Sequence, residues 1–225
     1  MNTRNIQFLL FSLIFVACNP SEESSTLIDS DGNVYKTVTI GNQTWMADNL
    51  KVTHYPDGTK IPEVTDCESW QSLSQNAEAF CFFDNDPANQ YGAYYTYEAA
   101  KKACPKGWHL PTKNEWDELE IFLYNNGYNA VEGSALKAKL GWTNSLNDKL
   151  GFNALPAGQR YMSMISYNCI GEFYFVGEVG KWWSSTEFDD NFAYYPWISD
   201  SSDDFTMGYQ VKKTGMSVRY LKDKD

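Results

Sequence analysis

Histidine is almost absent from this chain: His54 and His109 are the only two among its 225 residues. Because histidine is the side chain that most readily transfers protons near neutral pH, few positions are available for acid–base catalysis. The sequence also contains no Gly-x-Ser-x-Gly, His-Glu-x-x-His or Walker-type phosphate-binding motif. These absences favour a protein that is not an enzyme, and we predict no catalytic residue. For His109 we expect a buried, hydrogen-bonded structural role.

Basic residues are scarce relative to acidic ones. Eighteen Lys and Arg stand against 29 Asp and Glu, which gives a formal net charge of −11. Nucleic-acid phosphates and anionic lipids both attract basic surfaces. The charge therefore argues against nucleic acid as a partner and against electrostatic binding to a membrane.

No apolar run is long enough to cross a bilayer, which takes about 20 residues. The stretch Ile6–Val16 is apolar apart from two polar residues, and it fits the core of a signal peptide over residues 1–17. The following Phe15-Val-Ala-Cys18 is similar to a bacterial lipobox, although Phe15 replaces the usual leucine. We therefore predict lipidation at Cys18. The alternative is a plain secretory signal with a chance cysteine.

Residues 18–27 are polar and acidic, with no composition that would drive folding, and we predict a flexible tether. Their Ser-Glu-Glu stretch resembles the signal that sends lipoproteins of Bacteroidetes-type bacteria to the outer face of the outer membrane. Each buried methylene of an acyl chain contributes about 0.8 kcal/mol, so a multiply acylated cysteine is a lasting anchor. The predicted location is the outer membrane, lipid-anchored and facing the cell exterior.

The remaining residues, 28–225, are numerous enough for one domain with its own core. Their most particular segment is Cys104-Pro-Lys-Gly-Trp-His-Leu-Pro-Thr-Lys-Asn-Glu-Trp116. Gly107 permits a backbone conformation that is closed to other residues. Thr112 and Glu115 have the spacing of a capping box before an apolar run. The segment therefore predicts the start of a helix, and it does not by itself indicate an active site.

This segment resembles the signature of the Fibrobacter succinogenes major paralogous domain family. Five further segments match that family in order along the chain: Asp29–Tyr35, Trp45–Leu50, Leu155–Arg160, Trp183–Glu187 and Gly215–Arg219. The resemblance implies a C-type-lectin-like fold, shared with the formylglycine-generating enzyme family, but it implies no settled activity.

An oxidase of the formylglycine-generating type would need a reactive cysteine pair near the C-terminus. The stretch Gly208–Asp225 contains no cysteine, and no nearby pair suits copper(I), which prefers soft thiolates. Oxidase chemistry is therefore disfavoured.

Local patterns predict an α+β domain with two to three helices early and a strand-rich, loop-rich second half. Val34–Ile40 and Gln43–Met46 have the pattern of strands joined by a hairpin turn at Gly41-Asn42. Helices are expected over Tyr94–Ala103, Lys113 to about Tyr124, and Ser134–Leu140, with short strands from Phe152 onward.

Four cysteines besides Cys18 are available for disulfides: Cys67, Cys81, Cys104 and Cys169. An even number in an exported chain suggests two bridges, and the residues alone leave three connectivities open. The family resemblance implies that Cys104 should pair with a cysteine at position 220, where this chain has Tyr220. We predict Cys67–Cys81 as a local pair and Cys104–Cys169 as a substitute clamp.

Calcium is the one cofactor for which the sequence offers candidate ligands, and we predict no obligatory cofactor. The carboxylates of Asp200, Asp203 and Asp204 are weak candidates, because calcium takes six to eight oxygens and solvated turns commonly carry such residues. True C-type lectins bind sugars through Glu-Pro-Asn, Gln-Pro-Asp and Trp-Asn-Asp motifs. None of these tripeptides occurs here.

Aromatic residues make up 16% of the chain, and they are concentrated in Phe192-Ala-Tyr-Tyr-Pro-Trp197. Aromatic faces stack on sugar rings and are enriched at protein interfaces. Strand alternation places Phe192 and Tyr194 on one side and Tyr195 and Trp197 on the other. The candidate ligand-binding residues are Trp182, Asp189, Asp190, Asn191, Tyr195 and Trp197. The alternative is that these aromatics build the core.

The sequence thus predicts a surface-exposed bacterial lipoprotein that acts as a non-enzymatic binding or adhesion module. Its expected partner is extracellular polysaccharide or another extracellular protein, and its only membrane contact is the lipid anchor. Two alternatives stay open. One is an enzyme on the same scaffold, either an oxidase or a hydrolase, since 29 acidic residues leave a catalytic carboxylate pair conceivable. The other is a structural subunit of a cell-envelope assembly.

Overall fold

A computed structural model describes residues 26–143, 148–160 and 173–224. The predicted signal peptide, Cys18 and Cys169 lie outside the described residues. In chain order the elements are β1 (Thr26–Ile28), β2 (Val34–Ile40), β3 (Gln43–Met46), α1 (Cys67–Gln71), β4 (Phe80–Phe82), β5 (Ala93–Tyr95), α2 (Tyr97–Lys102), β6 (Trp108–His109), α3 (Lys113–Leu123), α4 (Glu132–Leu136), β7 (Gln159–Arg160), β8 (Phe173–Tyr174), β9 (Val179–Lys181), β10 (Phe192–Ser199), β11 (Thr206–Val211) and β12 (Leu221–Lys222).

The described strands form four sheets in which neighbouring strands are antiparallel. The largest has the order β1-β2-β3-β12-β6, so the C-terminal strand lies between the N-terminal hairpin and the strand before α3. A three-stranded sheet has the order β11-β10-β9, and β4-β5 and β7-β8 form two smaller pairs. Four helices and many antiparallel strands among the described residues confirm the predicted mixed α+β class. The strands are not concentrated in the second half as predicted, because β1 to β6 all precede α3.

The N-terminal hairpin has the predicted bounds. Ile40 pairs with Gln43 across the turn, and Gly41 has a φ of +64°, which a residue with a side chain rarely adopts. Ahead of the hairpin, β1 pairs with β2, and Leu27 is buried in the core. The last two residues of the predicted tether are therefore part of the folded domain.

The start of α3 is the predicted capping box. The Thr112 hydroxyl accepts a hydrogen bond from the Glu115 N–H at 3.2 Å, and the Glu115 carboxylate accepts one from the Thr112 N–H at 2.8 Å. Gly107 has the expected positive φ, +83°. One turn into the helix, Trp116 is completely buried. The segment builds a helix start, as its residue types indicated.

His109 links the start of α3 to Asp223, the residue that follows the C-terminal strand β12. Its Nδ1 lies 2.6 Å from a carboxylate oxygen of Asp223, and its Nε2 lies 2.9 Å from one of Glu115. The imidazole is partly buried, which is less than predicted. Both ring nitrogens thus have carboxylate partners, so the hydrogen bonding expected of His109 is present.

Two helices begin at other residues than their local patterns indicated. Helix α2 begins at Tyr97 because Tyr94 and Tyr95 belong to β5, where Tyr95 pairs with Phe80 of β4. Helix α4 covers Glu132–Leu136 and ends there because Lys137 is extended and bridges to Ala154. In both cases strand-type pairing between distant segments overrides the local helical pattern.

Aromatic side chains form much of the core. Trp45 and Trp116 have ring centroids 4.4 Å apart, and Phe152 and Trp182 pack around Trp116. Beside them lies the fully buried Arg219. None of the described helices has the length and apolar character needed to cross a membrane.

Candidate functional site

The predicted aromatic segment forms β10, the central strand of the sheet β11-β10-β9. Tyr195 lies opposite Gly208 of β11, and its ring occupies the space that a side chain at position 208 would need, within 2.9 Å of the ideal Cβ position. The ring packs against the main core cluster and is half-buried. Trp197, two residues further along the same side of the strand, is also half-buried.

Beside Tyr195 lies a buried lysine that the sequence did not point to. The Nζ of Lys181 donates a hydrogen bond to Gln159 Oε1 at 2.9 Å and lies 5.1 Å from the centroid of the Tyr195 ring and 5.3 Å from that of Phe175. Burial lowers the pKa of Lys181 to about 8. Lys181 pairs with Trp197 in the strand register, so Tyr195 and Trp197 border a buried cation.

The opposite side of β10 carries an exposed cluster of rings, which we call the aromatic face: Phe188, Phe192, Tyr194 and Tyr209. Phe188 stacks on Tyr209 with ring centroids 4.1 Å apart and ring planes within 5° of parallel. Phe188 is 47% exposed and Tyr209 is 53% exposed. The edges of Tyr194 and Phe192 approach this pair at centroid distances of 5.6 Å and 5.9 Å.

The acidic turn before β10 fixes Phe188 beside the strand. One carboxylate oxygen of Asp189 accepts hydrogen bonds from the backbone N–H groups of Asn191, at 2.8 Å, and Phe192, at 2.9 Å. The N–H of Phe188 donates to the Phe192 carbonyl at 2.9 Å. Asp190 is exposed and has no side-chain partner among the residues that the structure describes. The turn thus borders the aromatic face with unpaired carboxylate oxygens.

Trp182, the other aromatic candidate, lies in the core. It is 1% exposed, and its Nε1 donates a hydrogen bond to Asn49 Oδ1 at 2.9 Å. Trp183, beside it, is also buried and donates to the Tyr95 carbonyl at 2.8 Å. Trp182 is therefore separated from the acidic turn and from the aromatic face, and it does not reach a surface ligand in this structure.

A family profile described as the Fibrobacter succinogenes major domain matches residues 38–222, which is most of the chain. The chain belongs to this family. Searches of curated proteins and of solved structures found no match. The matched range contains the whole aromatic face and the acidic turn.

In this Fibrobacter succinogenes major domain the predicted disulfide pairing is wrong. Cys81 and Cys104 are both free thiols. Burial raises the pKa of Cys81 to about 11 and that of Cys104 to about 12. Each is packed as a small core group, and the Cys104 thiol donates to the Trp108 carbonyl at 3.0 Å. Cys67 is disulfide-bonded, and neither of these two cysteines is its partner.

Tyr220 stands where the family resemblance implied a cysteine. It is completely buried, and its hydroxyl donates to the Ala100 carbonyl at 2.8 Å. Cys104 packs against the same core cluster. At this position a buried tyrosine with a satisfied hydroxyl joins β12 to α2, in the place of a covalent bond.

The three calcium candidates each have a hydrogen-bond partner in the protein. Asp200 accepts from the Thr143 N–H at 2.7 Å, Asp203 accepts from the Ser134 hydroxyl, and Asp204 accepts from the Ser202 hydroxyl at 2.7 Å. Within the described ranges, no group of three or more His, Cys, Asp or Glu is placed to hold a metal ion.

Sequence reasoning did not select Phe188 and Tyr209. They lie 21 positions apart in the sequence. The turn that returns Phe188 beside β10 and the pairing of Tyr194 with Tyr209 across β10 and β11 together bring them into contact. No local sequence pattern marks either residue, because Tyr209 is the only aromatic residue of β11 and Phe188 lies in the turn before β10.

Proposed function

We propose that this chain is a surface-exposed lipoprotein whose single domain binds a neutral extracellular polysaccharide and catalyses no reaction. The observation that carries the proposal is the aromatic face. Its central rings, Phe188 and Tyr209, are stacked and each about half exposed, at 47% and 53%. Two large aromatic side chains held rigidly at a surface suit stacking against a flat apolar ligand face.

Sugar rings match this surface chemically. The C–H groups on one side of a pyranose ring pack on an aromatic face, and the hydroxyl groups at its edge need hydrogen-bond partners. The acidic turn supplies such partners beside the rings, because Asp190 and Asn191 are exposed next to Phe192. A rigid apolar platform bordered by acceptors supports binding of a polyhydroxylated chain.

Charge narrows the kind of polysaccharide. The formal net charge of −11, with two aspartates adjoining the aromatic face, repels anionic chains at low ionic strength. A neutral polymer does not meet this repulsion. An extracellular protein remains the other outcome of the test below.

The setting of this binding domain is also part of the proposal. We place it on a C-type-lectin-like scaffold, as the family resemblance implies, held by an acyl chain on Cys18 at the outer face of the outer membrane. Nucleic acid is not a partner, and no cofactor is required. The proposal of no catalysis is based on the sequence, in which His54 and His109 are the only histidines and no catalytic motif occurs.

A glycan array with matched variants tests the proposal. Phe188→Ala and Tyr209→Ala each remove one stacked ring, whereas Tyr124→Ala removes an aromatic side chain that is 60% exposed at the end of α3. We expect neutral glycans to bind the wild type and the Tyr124 variant, and to lose signal with the other two. Equal glycan signals for the wild type and the three variants would contradict the proposal. Binding to immobilised extracellular proteins on a parallel array, without binding to any glycan, would contradict it as well.

A further inference from the structure

A cleft that shares no lining residue with the aromatic face lies between the N-terminal hairpin and the segment after α4. Its main part has a volume of about 440 Å³, and an adjoining part measures about 290 Å³. The two parts share Asp48, Gln90 and Leu155. Sites for small ligands typically measure about 300–1,000 Å³, so the cleft is large enough for one or two sugar rings.

The wall of the cleft at residues 148–153 has an unusual backbone. Asp148 and Asn153 have φ values of 48° and 54°, and between them Gly151 has a φ of 73°. Residues with side chains rarely adopt positive φ, and such conformations are concentrated at ligand sites, where the surroundings hold them.

Arg219 is the group that holds the wall. Its guanidinium is completely buried and donates to the carbonyl oxygens of Phe152 and Asn153 and to Asn49 Oδ1. Burial lowers the pKa of Arg219 to about 10, and the attraction of Asp48 and Asp148 acts in the opposite direction. Arg219 is therefore a fixed cation that holds the wall from behind, and it is not among the residues that line the cleft.

The polar groups of the cleft are only partly used by the protein. Asn153 donates from Nδ2 to Asp48 Oδ1 at 3.4 Å, and its backbone N–H donates to Asp148 Oδ1 at 2.9 Å. The Asn153 amide oxygen has no partner among the described residues, and neither does the side chain of Gln90. Within the part of the chain that the structure describes, these two groups are donors and acceptors that a ligand could use.

The lining combines charged, amide and apolar side chains. The charges of Lys36 and Lys139 offset those of Asp48 and Asp148, so the lining favours neither a cation nor an anion. Leu155 gives one apolar surface beside the amides and carboxylates. A neutral polyhydroxylated ring matches both the polar and the apolar groups of the lining. Its hydroxyl groups donate and accept hydrogen bonds, and its C–H face packs on an aliphatic side chain.

We infer that this cleft is a second binding site, separate from the aromatic face, that takes a neutral mono- or disaccharide unit. It recognises the ring hydroxyl groups through Asp48, Gln90 and Asn153, and it packs the ring on Leu155. The cleft is concave and binds through hydrogen bonds, whereas the aromatic face is an open surface of stacked rings. The cleft therefore selects a short saccharide unit and not an extended polymer.

The test is an NMR titration of the isotope-labelled domain with maltose, cellobiose and xylobiose, with glucuronic acid and glucosamine as charged controls. We expect at least one neutral disaccharide to shift the backbone amide signals of Asp148, Gly151 and Asn153 without shifting those of Phe188 and Tyr209. The charged sugars should bind more weakly.

Two variants test the cleft independently, so the test still gives a result if one of them is unstable. Asn153→Gly removes the amide but keeps the positive φ, and Gln90→Ala truncates an exposed side chain. Each should weaken disaccharide binding at least about fivefold, whereas Tyr209→Ala should leave it unchanged. Shifts confined to the aromatic face, a loss only in Tyr209→Ala, or no saturable binding by any neutral sugar would each overturn the inferred cleft site. The first two outcomes would still favour the proposed function.

Discussion

Phe188 lies flat against Tyr209, with ring centroids 4.1 Å apart, although one belongs to a turn and the other to the edge strand β11. The contact depends on two independent features: the register of β10 with β11, and the turn that brings Phe188 back beside β10. The aromatic face is therefore a product of tertiary structure, and it requires both the strand register and the turn.

The turn itself can be tested through Asp189. Asp189→Ala removes the acceptor for two backbone N–H groups, and we expect a loss of roughly 1 kcal/mol in the free energy of unfolding. Urea denaturation measures this change. Asp190→Ala is the matched control, because Asp190 has no side-chain partner among the described residues and should leave stability unchanged. Equal effects of the two variants would show that the turn does not depend on the Asp189 carboxylate.

The capping box predicts a pH dependence of stability. Burial raises the pKa of Glu115, but hydrogen bonds from Thr112 and the partnership with His109 outweigh burial and leave the pKa below its usual value. Unfolded glutamate titrates at about pH 4.3. A depressed folded-state pKa stabilises the protein above that pH, and this stabilisation is lost as pH falls through the folded-state pKa.

Glu115→Gln removes the negative charge and keeps the hydrogen bonds, since glutamine also fits this position of a capping box. Thermal melts between pH 7 and pH 3 should show the wild type more stable at pH 6 and the difference shrinking towards pH 3. A difference that stays constant over this range would mean that the carboxylate charge does not contribute.

Cysteine accessibility gives a third prediction. Cys81 is buried and Cys104 is half-buried, and both thiols have raised pKa values. Thiolates are the species that alkylate. Both should therefore resist iodoacetamide at pH 8 until the protein is unfolded. A non-reducing peptide map should show no disulfide at Cys81 or at Cys104. A peptide that links Cys67 to Cys81 would contradict the structure.

The lipid anchor gives a fourth prediction. Metabolic labelling with palmitate should mark the wild type and not Cys18→Ala, and protease added to intact cells should remove the domain from the wild type. Labelling that persists in the variant would place the acyl chain elsewhere. Labelled protein protected from the protease would contradict the exterior location.

Features encoded by neighbouring residues could be predicted from the sequence. The turn at Gly41 and the capping box of Thr112 and Glu115 each depend on a few adjacent positions, and both appear as expected. The family signature likewise depends on short motifs, and the family is confirmed.

Features that depend on contacts between distant segments could not be predicted in this way. Tyr94 and Tyr95 have a helical context but pair with β4, so α2 begins later than predicted. The cysteine pairing failed for the same reason, since spacing carries no information on which thiols the core encloses. The aromatic face depends on the register of two strands. Tyr195 and Trp197 lie in one aromatic-rich segment that the sequence shows directly, whereas Phe188 and Tyr209 come together only in the folded chain.

The most direct measurement of the central claim is affinity electrophoresis in gels that contain the neutral polysaccharide with the strongest array signal. Tyr209→Phe keeps a ring on Phe188, whereas Tyr209→Ala removes it. A stacking contribution of about 1.4 kcal/mol corresponds to a tenfold change in affinity. We predict wild-type retardation for Tyr209→Phe, within about twofold, and at least about tenfold weaker binding for Tyr209→Ala. Equal retardation of Tyr209→Ala and the wild type would contradict the account.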